Sequence, residues 1–237
     1  MEALSTARTE LHRVAVHIVA RARIEATGRF SLRVTPGGVG SPEFGADARR
    51  VRISGTNLVV ESDAVDAAAA SSLSIDGSSL AALARFAGVD LTETIDVGHD
   101  TPPLGDVRAP IELDAAAATD VATWFQQTAA ILDTVLASLS THAPATLPRL
   151  WPEHFDLAIE AQATAERRVN LGGSPGDGSC DEPYLYVGPW TADRPGDPEF
   201  WNADFGAMRT RTQLAADPAG LVAAGAAFLL EGYNRLR

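Results

Sequence analysis

The sequence predicts an α+β protein in which antiparallel sheets pack against a few long helices. Three observations lead to this prediction. The stretches 5–26 and 114–140 carry apolar residues at three- and four-residue spacing, as helices with one buried face do. Short alternating segments bounded by turn residues indicate strands. The order helix, strands, helix occurs twice, which suggests two similar lobes, 1–110 and 111–237, related by an ancient duplication.

The first lobe contains two predicted helices and several short strands. In chain order these are a helix over 5–26, strands over 30–34, 51–53 and 58–60, a helix over 78–87 and a strand over 89–95. Gly28 and Gly88 follow the two helices directly and are suited to end them. The turn 55–57 joins two strands as a hairpin. Prolines and glycines over 98–111 then indicate a loop or a boundary between lobes.

The second lobe begins with the longest predicted helix. Its predicted elements are a helix over 114–140, a proline-broken connection over 141–148, strands over 153–162, 167–172 and 184–188, and a final helix. Asp217 followed by Pro218 predicts the start of that last helix, because a capping residue followed by proline in the first helical position is a common helix start.

Charge and composition exclude several kinds of chemistry. The formal net charge is -12, and all nineteen basic residues are arginine. A strongly acidic chain repels phosphate backbones, so no nucleic-acid partner is expected. Without lysine the chain cannot form a Schiff base, attach pyridoxal phosphate or build a nucleotide-binding P-loop. Arginine in place of lysine, together with the many alanines, indicates a bacterial protein from a GC-rich genome.

The location is expected to be cytoplasmic, with no membrane partner. Cys180 is the single cysteine, so no disulfide within the chain is possible. The first residues lack the basic and apolar segments of a secretory signal. The most apolar run, 221–230, is too short to cross a bilayer. No cofactor is predicted.

The stretch 150–206 is the best candidate for a site. It holds three of the four tryptophans, two of the three tyrosines and a glycine-rich loop. Because side chains alternate along a strand, six polar residues of the three predicted strands share one face if the strands pair. They are His154, Asp156, Arg168, Asn170, Tyr184 and Tyr186. Asp177 would lie at the rim.

Within this face, His154 and Asp156 are the candidate catalytic pair, a general base and its carboxylate partner. The candidate ligand-binding residues are Arg168, Asn170, Asp177, Tyr184, Tyr186 and Trp190, which supply directional hydrogen bonds and a flat apolar surface. The alternative interpretation is structural, since the outer face of a half-exposed antiparallel sheet is polar in any case.

A divalent metal is a second interpretation of the same stretch. The candidate ligands are His154, Asp177, Cys180 and Glu182, which are chemically suitable for zinc but lack a recognised ligand spacing. In the first helix, Arg13, His17 and Arg21 lie four residues apart on one face. That face could bind an anion, but a structural role is favoured.

Several segments resemble a family of uncharacterised proteins common in GC-rich bacteria. They include Trp-Pro-Glu-His-Phe-Asp-Leu-Ala at 151–158, Ser-Pro-Gly-Asp at 174–177 and Glu-Pro-Tyr-Leu-Tyr-Val-Gly-Pro-Trp at 182–190. The order of elements is also similar to a larger domain-of-unknown-function family. The resemblance covers nearly the whole chain and implies a grouping without an activity. The family pattern has histidine near Cys180, so the chain departs from it there.

The predicted function is binding or hydrolysis of a small polar or sugar-like ligand on the second sheet. The alternative is a non-catalytic interaction protein that assembles through its alanine-rich helices, with a homo-oligomer as one form of that assembly. Gly220, Ala224 and Gly225 would allow close packing of the last helix, within the chain or between chains.

Overall fold

A computed structural model describes residues 2–63, 70–93, 95, 97–98, 100–139 and 144–237. It contains two five-stranded sheets with antiparallel pairing and several helices, so the predicted α+β class is confirmed. The chain divides into two compact units. The first comprises Met1–Thr123 and Leu150–Phe155, and the second comprises Trp124–Arg149 and Asp156–Arg237.

The first unit opens with an uninterrupted helical stretch in three parts. These are α1 (Glu2–Val14), a π-helical segment (Ala15–Ala20) and α2 (Arg21–Thr27). All six residues of the π-helical segment are buried. Gly28 ends the stretch in the left-handed conformation, with φ of 69°, as the sequence predicted. The helix predicted over 5–26 lies within this stretch, which starts three residues earlier, and the π-helical segment was not predicted.

The first sheet follows as a meander with the order β1-β2-β3-β4-β5. Its strands are β1 (Arg33–Thr35), β2 (Gly38–Gly40), β3 (Arg50–Ser54), β4 (Asn57–Glu61) and β5 (Ala70–Ser74). The predicted hairpin is β3 and β4, which pair with Ser54 opposite Asn57. Residues 30–32 lie outside β1, and neither β2 nor β5 was predicted.

Helix α3 (Leu80–Ala87) follows the first sheet. Ser79 caps its start by accepting a hydrogen bond from the Ala82 backbone N–H, and Gly88 ends it. The prediction of a strand over 89–95 is wrong for the described residues 89–93 and 95, which form no strand. Thr94 lies outside the described residues. The Arg21 guanidinium donates hydrogen bonds to the backbone carbonyls of Asp90 and Glu93 in this segment.

The long helix α4 (Ala115–Ser138) begins where Asp114 accepts a hydrogen bond from the Ala117 N–H at 2.7 Å. The predicted end at residue 140 lies outside the described residues, as does part of the predicted connection 141–148. The second sheet has the order β10-β9-β8-β7-β6. Its strands are β6 (Arg149–Trp151), β7 (Asp156–Gln162), β8 (Arg168–Ser174), β9 (Tyr184–Pro189) and β10 (Ala207–Thr210).

Two helices end the chain, α5 (Arg211–Ala215) and α6 (Leu221–Arg235). The predicted helix start at Asp217 and Pro218 is wrong. Asp217 instead closes a turn, in which its carboxylate accepts a hydrogen bond from the Ala219 N–H at 2.9 Å, and α6 starts after Gly220.

Small residues of α6 pack inside the second unit. A Cβ atom on Gly225 would lie 2.7 Å from the side chain of Ile131 and 2.8 Å from that of Leu185. Helix α6 therefore approaches α4 and the second sheet more closely than any larger residue would permit. Within the described part of the chain, none of the helices combines the length and the apolar character needed to cross a membrane.

Candidate functional site

The three strands that were predicted to carry the site are neighbours in the second sheet. The register places Glu160 opposite Asn170 and Asn170 opposite Gly188. Ser174 lies opposite Tyr184, and Gly172 opposite Tyr186. Because alternate residues face the same side, one face of the sheet carries a single set of side chains from all three strands. We call this face the outer face; its polar side chains that carry the argument are those of Asp156, Glu160, Arg168, Asn170, Ser174, Tyr184 and Tyr186.

The opposite face of the same strands is apolar and packs against helices. Gly173 lies against Thr128 of α4, and a Cβ atom there would be 2.9 Å from the threonine side chain. Leu157, Leu171 and Val187 on this face are almost fully buried. The helices therefore cover one face of the sheet and fix which residues project from the other.

One end of the outer face is a buried network of tyrosines and carboxylates. The Tyr186 hydroxyl donates to Asp156, and the Tyr184 hydroxyl donates to Asp177 at 2.5 Å. Burial, followed by the hydrogen bond and the charge of Asp177, raises the pKa of Tyr184. Burial, followed by the charge of Asp156, raises the pKa of Tyr186 well above its ordinary value. Both hydroxyls therefore stay protonated at neutral pH and act as donors.

Asp177 organises the loop between β8 and β9. Its carboxylate accepts hydrogen bonds from the backbone N–H groups of Ser179 at 2.8 Å and Cys180 at 3.3 Å. The Ser174 hydroxyl donates to the same carboxylate at 3.3 Å and accepts from the Gly176 N–H at 3.1 Å. With the Tyr184 hydroxyl added, Asp177 ties the loop to β8 and to β9.

Phe205 adds an aromatic side chain to this end of the outer face. Its ring stacks on Tyr184 and meets Tyr186 edge to face, with centroids 6.2 Å apart in both cases. Gly172 lies beneath the Tyr186 ring, where a Cβ atom would be 2.9 Å from the ring carbon that bears the hydroxyl. The missing side chain at Gly172 thus lets Tyr186 lie across the sheet and reach Asp156.

The other end of the outer face is exposed and ordered by polar contacts. Trp190 directly follows β9, and its indole N–H donates to the side-chain oxygen of Asn170 at 2.8 Å. The Arg168 guanidinium lies 4.5 Å from the centre of the indole ring. Arg168 also forms an ion pair with Glu160 at 3.4 Å. Even so, Trp190 remains 53% exposed.

His154 lies outside this strand arrangement. Strand β7 begins at Asp156, and His154 falls in the turn before it. Phe155, between the two, has φ of 51°, so the alternation of an extended strand does not reach back to His154. The carboxylate that meets the His154 ring is that of Asp100, with Oδ2 2.8 Å from Nδ1. His154 belongs to the first unit and Asp156 to the second.

Arg13, His17 and Arg21, which were predicted to share one face of the first helix, have structural roles. Arg13 donates to the Leu104 carbonyl at 3.1 Å, His17 Nε2 to that of Pro102 at 2.8 Å, and Arg21 to that of Glu93 at 2.7 Å. These three side chains bind the backbone of the loop that follows α3. They hold that loop against the helix, which agrees with the favoured structural interpretation.

His12 lies on another side of the first helix and holds the turn that precedes β7. Its Nε2 donates to the Pro152 carbonyl at 2.7 Å, and its ring stacks on Phe155 with centroids 5.1 Å apart. Burial lowers the pKa of His12 from its ordinary value of 6.5 to about 4, and the nearby His17 and His154 contribute in the same direction. Burial also lowers the pKa of His17. The only available sequence signal was that His12 lies within a buried helix.

Three of the four candidate metal ligands, His154, Asp177 and Glu182, have other partners. Among the described residues there is no group of three or more His, Cys, Asp and Glu side chains that could hold a metal ion. Asp177 ties its own loop, as described above. Glu182 accepts a hydrogen bond from the Thr212 N–H at 2.6 Å, at the start of α5. Cys180 is half-buried with its thiol not in a disulfide.

The first unit also contains an acidic cavity of about 750 Å³. Four carboxylates line it, those of Glu2, Asp76, Glu112 and Asp114. Two of them have structural roles, because Asp76 accepts from the Leu113 N–H at 2.9 Å and Asp114 caps α4. Sequence reasoning did not identify this cavity, whose walls come from four separate parts of the chain.

Comparison with known proteins gave no relative. No protein-family model matches the chain, and neither the curated proteins nor the solved structures include a match.

Proposed function

We propose that the exposed end of the outer face binds a small, uncharged, polar ring compound such as a sugar. The observation that carries this proposal is Trp190, which keeps more than half of its surface exposed although two neighbours fix its orientation. An apolar ring of this size in contact with water is more stable when a ligand covers it. Because the indole is already held, binding orders little further side-chain motion.

The polar neighbours of Trp190 suit a ligand rich in hydroxyl groups. The oxygen of Asn170 is occupied by the indole N–H, so its NH₂ group is turned to donate elsewhere. Glu160 supplies acceptor oxygens and Arg168 supplies donors, and the ion pair between them holds both in place. A flat apolar surface beside fixed donors and acceptors is the usual composition of a site for polar small molecules.

The buried end of the outer face supports the exposed end by making it rigid. The Tyr186 to Asp156 and Tyr184 to Asp177 hydrogen bonds tie β9 to β7 and to the β8–β9 loop. Strand β9 leads directly to Trp190, so its position fixes where the indole lies. In this proposal the two tyrosines fix the strand that positions Trp190 and make no contact with the ligand. The binding contacts come from Trp190, Asn170, Arg168 and Glu160.

Calorimetric titration with a panel of neutral mono- and disaccharides tests the proposal. At least one sugar is expected to bind, and Trp190→Ala should weaken it by at least about tenfold, since buried tryptophan contacts are often worth 2 kcal/mol or more. Leu147→Ala is the matched control, because Leu147 is in the same unit, apolar and 77% exposed. The proposal fails if no sugar of the panel binds, or if Trp190→Ala binds the sugar as tightly as Leu147→Ala does.

We infer in addition that the protein acts in the cytoplasm of a bacterium and belongs to the family that its motifs resemble. The single cysteine, which forms no disulfide, supports the location. Arginine as the only strongly basic residue type supports the GC-rich source. The net charge of -12 favours a partner other than nucleic acid. Because Gly225 packs within the chain, assembly of α6 with a second copy would use other residues, such as the partly exposed Val222.

A further inference from the structure

A histidine and a carboxylate meet on the surface of the first unit. His154 Nδ1 lies 2.8 Å from Asp100 Oδ2, and the two side chains are 42% and 53% exposed. A carboxylate at Nδ1 holds the proton on that nitrogen, so the neutral ring carries its lone pair on Nε2. This is the tautomer that a general base requires.

The loop that carries Asp100 is held by the first helix. The side chains of Arg13 and His17 donate to the carbonyls of Leu104 and Pro102, on the C-terminal side of Asp100. Arg21 donates to the Glu93 carbonyl, on its N-terminal side. Both flanks of Asp100 are therefore attached to the first helix.

The turn that carries His154 is held by the same helix. His12 donates to the Pro152 carbonyl at 2.7 Å and stacks on Phe155, with an angle of 9° between the rings. Phe155 has φ of 51°, a conformation that is uncommon for a bulky residue and persists when surrounding contacts impose it. Gly98 lies so close that a Cβ atom there would be 2.9 Å from the Glu153 side chain.

We propose that His154 and Asp100 form a general-base pair that hydrolyses uncharged esters. His154 Nε2 takes a proton from a water molecule, whose oxygen attacks the acyl carbon. The tetrahedral intermediate then expels the alcohol, and His154 returns the proton to the leaving oxygen. Ester and water become acid and alcohol, and the enzyme is unchanged. His154 is the catalytic residue, and Asp100 is a positioning residue that fixes the tautomer and the ring.

The surroundings determine the substrate charge. The Asp100 carboxylate is part of the pair, and the whole chain carries a net charge of -12. An anionic ester would be repelled, whereas a neutral ester would not. This site lies within the first unit and does not depend on the proposed ligand site of the second sheet.

Hydrolysis of 4-nitrophenyl acetate by the full chain tests the proposal. His154→Gln should lower kcat/KM by at least about tenfold, within the range of general-base contributions. Asp100→Asn should lower kcat with KM unchanged, and Asp100→Glu should restore part of it. An exposed histidine acting alone would not respond to Asp100. The wild-type reaction should also be slower in D₂O than in water, since a proton moves in the rate-limiting step.

Two controls separate the possible outcomes. Asp106→Asn removes a carboxylate from the same loop, and Leu147→Ala removes an exposed apolar side chain of the second unit; both should keep the wild-type rate. Circular dichroism should show an unchanged fold, because His154 and Asp100 are partly exposed. Equal rates for wild type and His154→Gln would overturn the proposal. So would an Asp100→Asn variant as active as the wild type, or equal rates in D₂O and water.

Discussion

Replacement of His12 by glutamine should change how the stability of the protein depends on pH. Burial of the His12 ring lowers its pKa to about 4 in the folded chain, against 6.5 in the unfolded chain. The unfolded state therefore binds more protons between these two values, and the folded state loses stability as the pH falls from 6.5 towards 4. Glutamine can still donate a hydrogen bond towards the Pro152 carbonyl, but it does not titrate.

The magnitude follows from the two pKa values. A pKa difference of this size corresponds to a loss of about 3 kcal/mol of unfolding free energy between pH 7 and pH 4. The variant also loses the stack on Phe155, which costs about 1 kcal/mol at every pH. His12→Gln should thus be less stable than the wild type by about 1 kcal/mol at pH 7 and more stable by about 2 kcal/mol at pH 4.

Urea unfolding followed by circular dichroism at several pH values between 4 and 7 measures this difference. Groups far from His12 contribute equally to both proteins, so the difference between them reports on His12 and on its coupling to the nearby His17 and His154. His12→Phe is a second variant that keeps an aromatic ring on Phe155 and cannot be protonated, and it should show the same gain at low pH. A stability difference that stays constant from pH 7 to pH 4 in both variants would refute the reasoning.

Three further substitutions test the packing around the candidate site and the helices. Tyr186→Phe removes a donor to buried Asp156 and should destabilise the protein by about 1–3 kcal/mol in urea unfolding; an unchanged midpoint would show that this hydrogen bond is not needed. Gly225→Ala should cost about 1–3 kcal/mol through overpacking, whereas Gly178→Ala, with open space around it, should be neutral; equal effects would contradict the close approach of α6. Ser79→Ala should lower thermal stability by about 1 kcal/mol, because α3 loses its cap, and a wild-type melting temperature would contradict that role.

Elements with a local signal could be predicted from the sequence. The first helical stretch has apolar spacing and ends at Gly28, and the hairpin of β3 and β4 has alternating strands around a tight turn. The outer face of the second sheet could be predicted as well, because alternation depends only on neighbouring residues. The predicted members Asp156, Arg168, Asn170, Tyr184 and Tyr186 lie on that face, whereas His154 does not, and Glu160 and Ser174 were not predicted.

Elements that depend on distant partners could not be predicted. Strand β5 has the sequence Ala-Ser-Ser-Leu-Ser, which has little strand preference and is extended because β4 pairs with it. Strand β2 has the sequence Gly-Val-Gly, and it is extended because it pairs with β1. The π-helical segment does not change the spacing of the apolar residues, so it could not be predicted.

The main part of the candidate chemistry that could not be predicted from the sequence is the pairing of His154 with Asp100. The two residues are 54 positions apart, and the contact depends on a loop held by three helix side chains. The sequence suggested Asp156 as the partner because residues 153–162 alternate like one strand. The left-handed backbone of Phe155 interrupts that alternation, and no residue type in the sequence signals it.

The most direct test of the proposed function is a nuclear magnetic resonance titration with the tightest-binding neutral sugar. If the outer face is the site, the indole N–H of Trp190 and the side-chain NH₂ of Asn170 should shift most, and both shifts should saturate together. Resonances of the first helix should not move. Saturable shifts confined to residues of the first unit, with Trp190 and Asn170 unchanged, would contradict the proposal.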